Sequence, residues 1–371
     1  MMQTVRRAGA FALVGLLSLA APVLGSTAAA PFVVVAALAA FVIEEGPLFD
    51  LFARPGDYEE HTLYGLAGFA LAAAGLALFV PLFDMPSFVF VTSVLLLSGG
   101  NFTEEVASTW WSRPLVGPVA FVFGGTLAGV AGLLVVGFAG VSVSALPISV
   151  FLAASGALVG ALLRSVLFAR DDPLVLFSAG LLLWLFAELS LSVSPVGIAT
   201  ALVVTAGFGY LAYALDTASI PGMLTGVLLG LLTVVLGGFG WFAILISFFG
   251  FGGLASKFKY DRKRTRGIAE ENEGARGSGN VLANSAVALA AVLAYAASPL
   301  LPVESELFRF VFAGSLAAAM SDTLSSEIGG LYDTPRLITT FEPVPPGTDG
   351  GVTWQGVFAG VVGAALVAAI A

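Results

Sequence analysis

Apolar segments of about 15–25 residues, separated by short polar stretches, follow one another along almost the whole chain. An apolar helix of this length crosses the hydrocarbon core of a membrane. We predict thirteen such helices, with limits 8–24, 28–43, 62–83, 86–100, 115–138, 144–168, 173–191, 195–215, 220–237, 239–256, 280–297, 307–320 and 352–371. Several are short and glycine-rich, so the pattern predicts an all-α polytopic membrane protein with about 12–13 transmembrane helices.

The composition supports this fold class and restricts the chemistry. The 371 residues are 58% hydrophobic and 11% charged, and the mean hydropathy is +1.00, which a soluble domain does not tolerate. The absence of cysteine rules out disulfides and thiolate metal sites. The single histidine, His61, argues against a histidine zinc site or a catalytic triad. Chemistry must therefore use carboxylates, hydroxyls, amides and basic side chains.

Charge predicts the orientation of the helices. If the amino terminus is cytoplasmic, 14 of the 15 Lys and Arg residues fall in cytoplasmic loops, as the positive-inside rule requires. The exception is Arg309, and Glu306 lies one turn away and can pair with it. We expect a multi-pass protein of the cell membrane. The net charge of −9 and the pI of about 4.6 are typical of loops exposed to strong salt in a halophile.

The first thirty residues also fit a secretory signal, with a basic start, an apolar core and small residues near Gly25. We expect an uncleaved first helix instead, because another apolar segment follows at once.

A parallel internal repeat is suggested by two pairs of similar segments, 98–106 with 320–328 and 125–132 with 356–363. The first match pairs Glu105 with Glu327, and it places Gly100 opposite Asp322. Chance similarity between glycine-rich segments is the alternative. If the repeat is real, the active site belongs to the second copy, where Asp322 occurs. We expect an amino-terminal region 1–140 containing a degenerate copy, connecting helices 141–219 and a catalytic region 220–371.

Two carboxylates, Asp322 and Glu327, end the apolar segment 307–320 in the sequence S-D-T-L-S-S-E-I-G-G. An ionised group at membrane depth costs about 2.5–3.5 kcal/mol unless it is paired or binds an ion. On a continuous helix the two lie about 140° apart, so a shared ligand requires the helix to end or unwind between them. A Mg²⁺ site on nucleotide phosphates is one interpretation, and a helix cap before a solvated loop is the other.

A basic loop extends from Lys257 to Arg276 and contains seven of the fifteen cations. It is suited to polyanions, although a topogenic anchor on anionic lipid is the simpler explanation. Lysine is rare in this chain, and the compact ammonium groups of Lys257 and Lys259 suit a migrating phosphoryl group. Asn280 and Asn284, one turn apart, are suited to phosphate or ribose, or to a hydrogen bond between helices.

The loop 333–351 is rich in proline, and its turn 347–350 presents backbone N–H groups. Arg336, Thr339 and Thr340 lie at positions from which they can reach a phosphate. A rigid connector without ligand contacts is the alternative.

Four motifs occur in order within the region 220–371: S-F-F-G-F-G-G-L-A-S-K-F-K, A-R-G-S-G-N-V-L-A-N, S-D-T-L-S-S-E-I-G and P-R-L-I-T-T-F-E-P-V-P-P-G-T-D-G-G-V-T-W-Q-G. This region resembles the integral membrane family catalogued as domain of unknown function 92, which includes phytyl-phosphate kinases. The resemblance implies phosphoryl transfer from a nucleoside triphosphate, CTP or ATP, to an isoprenyl monophosphate in the membrane. It implies no nucleic-acid partner.

The residues and the resemblance together predict a Mg²⁺-dependent isoprenyl-phosphate kinase. The expected roles are metal binding by Asp322 and Glu327, charge neutralisation by Lys257, Lys259 and Arg276, and substrate binding by Asn280, Asn284 and Arg336. The alternative from another class is a secondary transporter or ion carrier, with Asp322 and Glu327 as an intramembrane cation site. A catalytically inactive scaffold is a third possibility, which the two intact carboxylates disfavour.

Overall fold

The computed structural model describes residues 2–167, 172–189, 191, 193–268 and 276–371. Arg170 and the middle of the basic loop, 269–275, belong to the sequence predictions but lie outside the described residues. The chain divides into two compact units, the first ending at Pro195 and the second formed by Val196–Ala371. This boundary falls inside the region 141–219, which the sequence suggested as a connection.

The first unit is helical throughout its described part. Proline in the first turn begins α3, α4 and α9, where its missing N–H costs no hydrogen bond. The helices are α1 (Met2–Gly15), α2 (Ala21–Leu24), α3 (Ala30–Phe41), α4 (Pro47–Phe52), α5 (Asp57–Glu60), α6 (Tyr64–Phe83), α7 (Ser87–Trp110), α8 (Val116–Phe138), α9 (Leu146–Val166) and α10 (Asp172–Glu188).

The second unit contains seven helices and a short antiparallel strand pair. The elements are α11 (Pro195–Ala214), which begins at the boundary, α12 (Ile220–Gly237), α13 (Phe239–Lys257), α14 (Tyr260–Thr265), α15 (Ser278–Ala296), α16 (Ser305–Gly329), α17 (Trp354–Ile370), β1 (Arg336–Leu337) and β2 (Gly351–Val352). Ser219 and Thr353 cap α12 and α17, because each hydroxyl accepts a hydrogen bond from the N–H three residues later.

All thirteen predicted apolar segments are helical, which confirms the all-α polytopic fold. In the described part of the chain, nine helical stretches are long and apolar enough to cross a membrane. Two further apolar helices, α3 and α17, are shorter. Helix α3 has 12 residues and is about 18 Å long, less than the hydrocarbon thickness. The predicted ion pair between Arg309 and Glu306 is present, at 3.0 Å.

Two helices continue well beyond their predicted ends. Helix α7 extends to Trp110 instead of residue 100, and α16 extends to Gly329 instead of residue 320. The break that a shared ligand of Asp322 and Glu327 would require is therefore absent, and the two side chains leave a continuous helix in different directions. The added turns of α16 carry hydroxyl and carboxylate side chains, yet they stay helical because α17 packs closely along them.

Glycines of α8 and α17 pack in the same way against the preceding long helix of each unit. A Cβ on Gly125 would meet Leu96 and Gly100, and one on Gly356 would meet Ser325 and Gly329. Ser325 follows Leu96, and Gly329 follows Gly100, by 229 positions in the sequence. Four more glycine neighbours follow the same correspondence: Thr92 and Leu95 lie against Gly129 and Gly132, and Ser321 and Leu324 lie against Gly360 and Gly363. The helix pairs α7–α8 and α16–α17 thus share one packing register.

This register corrects the equivalence expected from the sequence. The spacing of 229 differs by seven residues, about two helical turns, from the spacing that paired Glu105 with Glu327. In the observed register Glu327 corresponds to Ser98, and Asp322 corresponds to Ser93. Both serines are buried and have no charge. The first unit therefore lacks both carboxylates at the equivalent positions.

The first unit has its own ion-pair network at the polar ends of its helices. Asp172 accepts hydrogen bonds from Arg54 at 3.2 Å and from Arg164 at 3.3 Å, and Arg164 also pairs with Glu104 at 3.1 Å. The guanidinium of Arg164 lies over the ring of Phe121. Each charge is matched by an opposite one, which accounts for Arg164 inside a mostly buried helix.

Candidate active site

A cavity of about 660 Å³ lies at the carboxyl end of α16, within the size range of small-molecule sites. Its walls come from three places: the last two turns of α16, the loop that follows them, and the segment around α14. Most of its lining is polar, with carboxylates, hydroxyls and backbone groups. Helix α16 supplies Asp322, Ser325, Ser326 and Glu327, and α14 supplies Lys263.

A buried ion pair between Lys263 and Glu327 forms the inner wall of the cavity. The ammonium of Lys263 is 1% exposed and donates to Glu327 Oε2 at 2.5 Å. It also donates to the backbone oxygens of Ala255 at 2.6 Å and Ser256 at 3.1 Å. Ser256 Oγ donates to the other carboxylate oxygen, Oε1, at 2.8 Å. Lys263 has no donor left, and the charge of Glu327 is neutralised.

Two other carboxylates of the same cavity, Asp322 and Asp349, face solvent. Each is exposed, and neither makes a hydrogen bond or ion pair with any described residue. Asp322 lies on the last turns of α16, and Asp349 lies in the loop between α16 and α17. With Lys263 and Glu327 cancelling each other, these side chains make the cavity anionic.

The loop 347–351 lines the cavity with its backbone. Gly347 and Gly350 have φ values of 86° and 74°, in the region where glycine is favoured. The N–H groups of Gly347, Asp349 and Gly350 donate to no described residue, so they remain available to a ligand. Successive free N–H groups in a turn are suited to phosphate oxygens.

Ion pairs and a hydrogen bond hold the segment directly after α16 against α14 and the residue that follows it. Arg266 donates to the backbone oxygen of Gly330 at 3.0 Å and pairs with the carboxylate of Asp333. Arg262 lies 3.6 Å from the same carboxylate. Cations of the basic loop therefore anchor the segment that follows α16, next to the cavity residues Gly330 and Tyr332.

Arg276 packs against α13 at Gly252, one helical turn before Ser256. It is 5% exposed, and its guanidinium lies 5.4 Å from the ring centroid of Phe248. A Cβ on Gly252 would come within 2.6 Å of its Nη2 atom, so the close approach requires glycine. Phe248, Gly252 and Ser256 are spaced by four residues and form one stripe of α13. This stripe contacts Arg276 in its middle and Glu327 at its end.

The predicted site residues fall into two groups. Asp322 and Glu327 both line the cavity. Arg276 does not line it, but it contacts Gly252, one turn of α13 from Ser256, the partner of Glu327. The other cations and amides lie elsewhere. Lys257 Nζ donates to the backbone oxygen of Leu215 at 2.9 Å, Lys259 lies over Phe258, Asn284 bonds to Asn280 at 3.1 Å, and Arg336 bonds to the oxygen of Phe341 at 2.7 Å.

The residues present fit a Mg²⁺ ion shared with a ligand better than a metal held by protein alone. In the described ranges, no group of three or more His, Cys, Asp or Glu side chains is placed to hold a metal. Mg²⁺ is commonly bound through one or two carboxylates plus substrate phosphates. Asp322 and Asp349 are the free carboxylates of the cavity.

Sequence reasoning missed Lys263. Its neighbours in α14 are also cationic, and no pattern in six residues shows which of them is buried. One signal pointed to it: Glu327 at the end of an apolar segment needs a partner, and lysine occurs only in this loop.

Residues 203–371 match the family model described as integral membrane protein DUF92, which confirms the resemblance drawn from the motifs. A chain of Arabidopsis thaliana named "Protein VTE6, chloroplastic" is 35% identical over 153 residues, which is 41% of this chain and 46% of that one. An uncharacterized membrane protein of Methanocaldococcus jannaschii is 39% identical over 152 residues, 39% of this chain and 58% of that one.

"Protein PGR" of Arabidopsis thaliana is 36% identical over 151 residues, 37% of this chain and 52% of that one. The chain thus spans about half the length of the curated relatives that it matches. No solved structure matches.

Proposed function

We propose that the second unit is a membrane-embedded phosphotransferase that converts an isoprenyl monophosphate to its diphosphate with a nucleoside triphosphate. The observation that carries this proposal is the cavity at the end of α16, whose lining residues include two free carboxylates and three free backbone N–H groups. Further support comes from the match of residues 203–371 to the DUF92 model and from the similarity to VTE6.

The reaction needs positioning and charge neutralisation more than acid–base groups. A phosphate oxygen of the isoprenyl monophosphate forms a bond to the γ-phosphorus of the nucleotide. The bond between that phosphorus and the bridging oxygen breaks, and the nucleoside diphosphate leaves with the electron pair. No proton has to be removed, because a phosphate monoester is largely a dianion at pH 7, its second pKa being about 6. A chain with one histidine and no cysteine is adequate for this chemistry.

Mg²⁺ is part of the proposal because the cavity is anionic. Polyphosphate is repelled by Asp322 and Asp349 unless a divalent cation lies between the charges. Asp322 and Asp349 would hold the ion, which supplies neutralisation of the phosphate oxygens. The N–H groups of the loop 347–350 orient the nucleotide phosphates, and Arg276 neutralises the incoming monophosphate. Glu327 is a positioning residue in this scheme, since Lys263 and Ser256 occupy its oxygens.

The transporter alternative is less well supported by the same contacts. It needs Asp322 and Glu327 together as a cation site. Glu327 is paired with Lys263, so only Asp322 of the two is free to bind an ion.

The test is transfer of a labelled γ-phosphate by the purified full chain in detergent. Geranylgeranyl and phytyl monophosphate are offered as acceptors, with CTP or ATP and Mg²⁺. We expect label in the isoprenyl diphosphate, and loss of the product when EDTA replaces Mg²⁺. The matching isoprenyl alcohols serve as control acceptors and should remain unlabelled. Absence of labelled diphosphate with every nucleotide and acceptor, from folded protein, would refute the proposal.

A further inference from the structure

An apolar groove of about 450 Å³ runs between α11 and α13 on the side of α13 away from Glu327. Its walls are apolar side chains of both helices, and Thr217 and Ser247 are its main polar residues. Along α13 the lining extends from Ala243 to Leu254, about 16 Å at 1.5 Å per residue. Phe208 and Leu211 of α11 are 43% and 49% exposed, so the groove is open along its length.

A smaller cavity next to the groove contains a cationic side chain, that of Arg276. This cavity has a volume of about 70 Å³ and shares a wall with the groove that includes Phe208, Thr217 and Phe249. Its volume is about a sixth of that of the groove, so it is suited to a small head group. A second cation lies at the groove, because Lys257 donates to the oxygen of Leu215, a lining residue.

Helix α13 therefore separates an apolar groove from the polar cavity. Arg276 lines the smaller cavity next to the groove and contacts Gly252 of α13, one turn from Ser256, which bonds to Glu327 of the polar cavity. An amphiphile with a long apolar tail and a small anionic head complements this arrangement in shape and charge. We propose that the groove between α11 and α13 holds the isoprenyl tail of the substrate, with its phosphate at Arg276. This inference rests on the proposed function and adds the place where the acceptor enters. A phospholipid, with its larger head and two chains, fits the small inner cavity poorly.

Gly250 provides a specific way to fill the groove. It lines the groove, and a Cβ at this position would meet no atom within 4 Å. Gly250→Leu therefore places a side chain in the groove with no clash at its Cβ, and it adds helix propensity to α13. Gly240 is the matched control, because it belongs to the same helix, also has open space around it, and lines neither cavity.

The experiment measures binding of radiolabelled geranylgeranyl monophosphate to the full chain in phosphatidylcholine nanodiscs, without nucleotide. We expect Gly250→Leu to weaken binding at least tenfold and Gly240→Leu to leave it unchanged. Arg276→Gln should reduce the preference for the monophosphate over geranylgeraniol, and its thermal unfolding midpoint reports whether it folds. If it does not fold, the two glycine variants decide the result alone.

Three results would overturn the proposal. The first is equal affinity of Gly250→Leu and the wild type for the labelled monophosphate, and the second is equal weakening of its binding by both glycine variants. The third is displacement of the labelled monophosphate by phosphatidylglycerol as readily as by unlabelled substrate. The last would identify a general site for anionic lipid. Because nucleotide is absent, a failure of phosphoryl transfer leaves this test intact. Conversely, turnover that Gly250→Leu leaves unchanged would support the kinase and refute the groove.

Discussion

At the scale of single residues, Lys263 determines the charge balance of the cavity at the end of α16. Its ammonium is almost completely buried and makes three hydrogen bonds, one of them to Glu327. Such a pair need not stabilise the protein relative to apolar residues, because both ions lose hydration. Removal of only one of the two residues destabilises the protein, because the remaining charge is then buried without a partner.

Lys263→Met should therefore destabilise the protein by about 3–5 kcal/mol, the usual cost of breaking one half of a buried pair. Thermal unfolding of the purified protein in detergent measures this as a lowered midpoint. The double variant Lys263→Met with Glu327→Leu should recover much of the loss, because no charge remains unpaired. Lys259→Met is the control, since Lys259 is exposed and should change the midpoint little. A double variant as unstable as the single one would contradict this account of the pair.

The sequence was informative about residues whose burial is costly and uninformative about their partners. Asp322 and Glu327 stood out because carboxylates rarely end an apolar segment. That Glu327 is paired while Asp322 is free depends on where α14 packs, and α14 has only six residues. Lys257 and Lys259 look like Lys263 in the sequence, and the fold alone distinguishes them.

At the scale of elements, the position of α16 depends on its contact with α17. Gly356, Gly360 and Gly363 allow the two helices to approach closely, as small residues do in membrane proteins. A Cβ on Gly360 would come within 3.0 Å of the backbone oxygen of Ser321. Because Ser321 directly precedes Asp322, this contact also sets the position of the proposed metal ligand.

Gly360→Leu should separate α16 from α17, lower the unfolding midpoint, and reduce phosphoryl transfer. Overpacking of a close contact typically costs about 1–3 kcal/mol. Ala365→Leu on the exposed face of α17 is the matched control and should have little effect on either quantity. Equal midpoints and equal activities of the two variants would show that this contact does not control the site.

Hydropathy predicted the positions of the membrane helices well, but it did not predict where the helices end. Each of the thirteen apolar segments is a helix in the structure. The errors concern α7 and α16, whose final turns are polar and were assigned to loops. Hydropathy measures the preference for lipid, whereas helix continuation depends on backbone hydrogen bonds and on neighbours such as α17. The repeat was predicted only in part. The match of 125–132 with 356–363 pairs the glycines that pack alike, such as Gly125 with Gly356, whereas the match of 98–106 with 320–328 is out of register because its polar letters do not report the helix contacts.

At the scale of the whole molecule, the proposed function requires the cavity to open to the cytoplasm. Helix α16 has 25 residues and is about 37 Å long, enough to cross the bilayer. Val303 before it and Thr348 after it should therefore lie on opposite sides of the membrane. The chain has no cysteine, so a single introduced thiol gives an unambiguous label.

In intact cells, a membrane-impermeant maleimide should label Val303→Cys and should label Thr348→Cys only after permeabilisation. Both native side chains are exposed, so access depends on the side of the membrane. The cysteine-free parent chain is the control for background. The reverse pattern would place the cavity outside the cell, away from nucleotide, and would exclude the kinase proposal.

The central claim is that Asp322 serves phosphoryl transfer in the cavity at the end of α16. The most direct measurement compares transfer of labelled γ-phosphate to an isoprenyl monophosphate by the wild type, Asp322→Asn and Asp84→Asn. Asp84 is an exposed carboxylate in the first unit, outside the cavity, and its variant should match the wild type. We predict that Asp322→Asn lowers the rate at least about a hundredfold with an unchanged unfolding midpoint. Transfer at the wild-type rate by Asp322→Asn would contradict the claim.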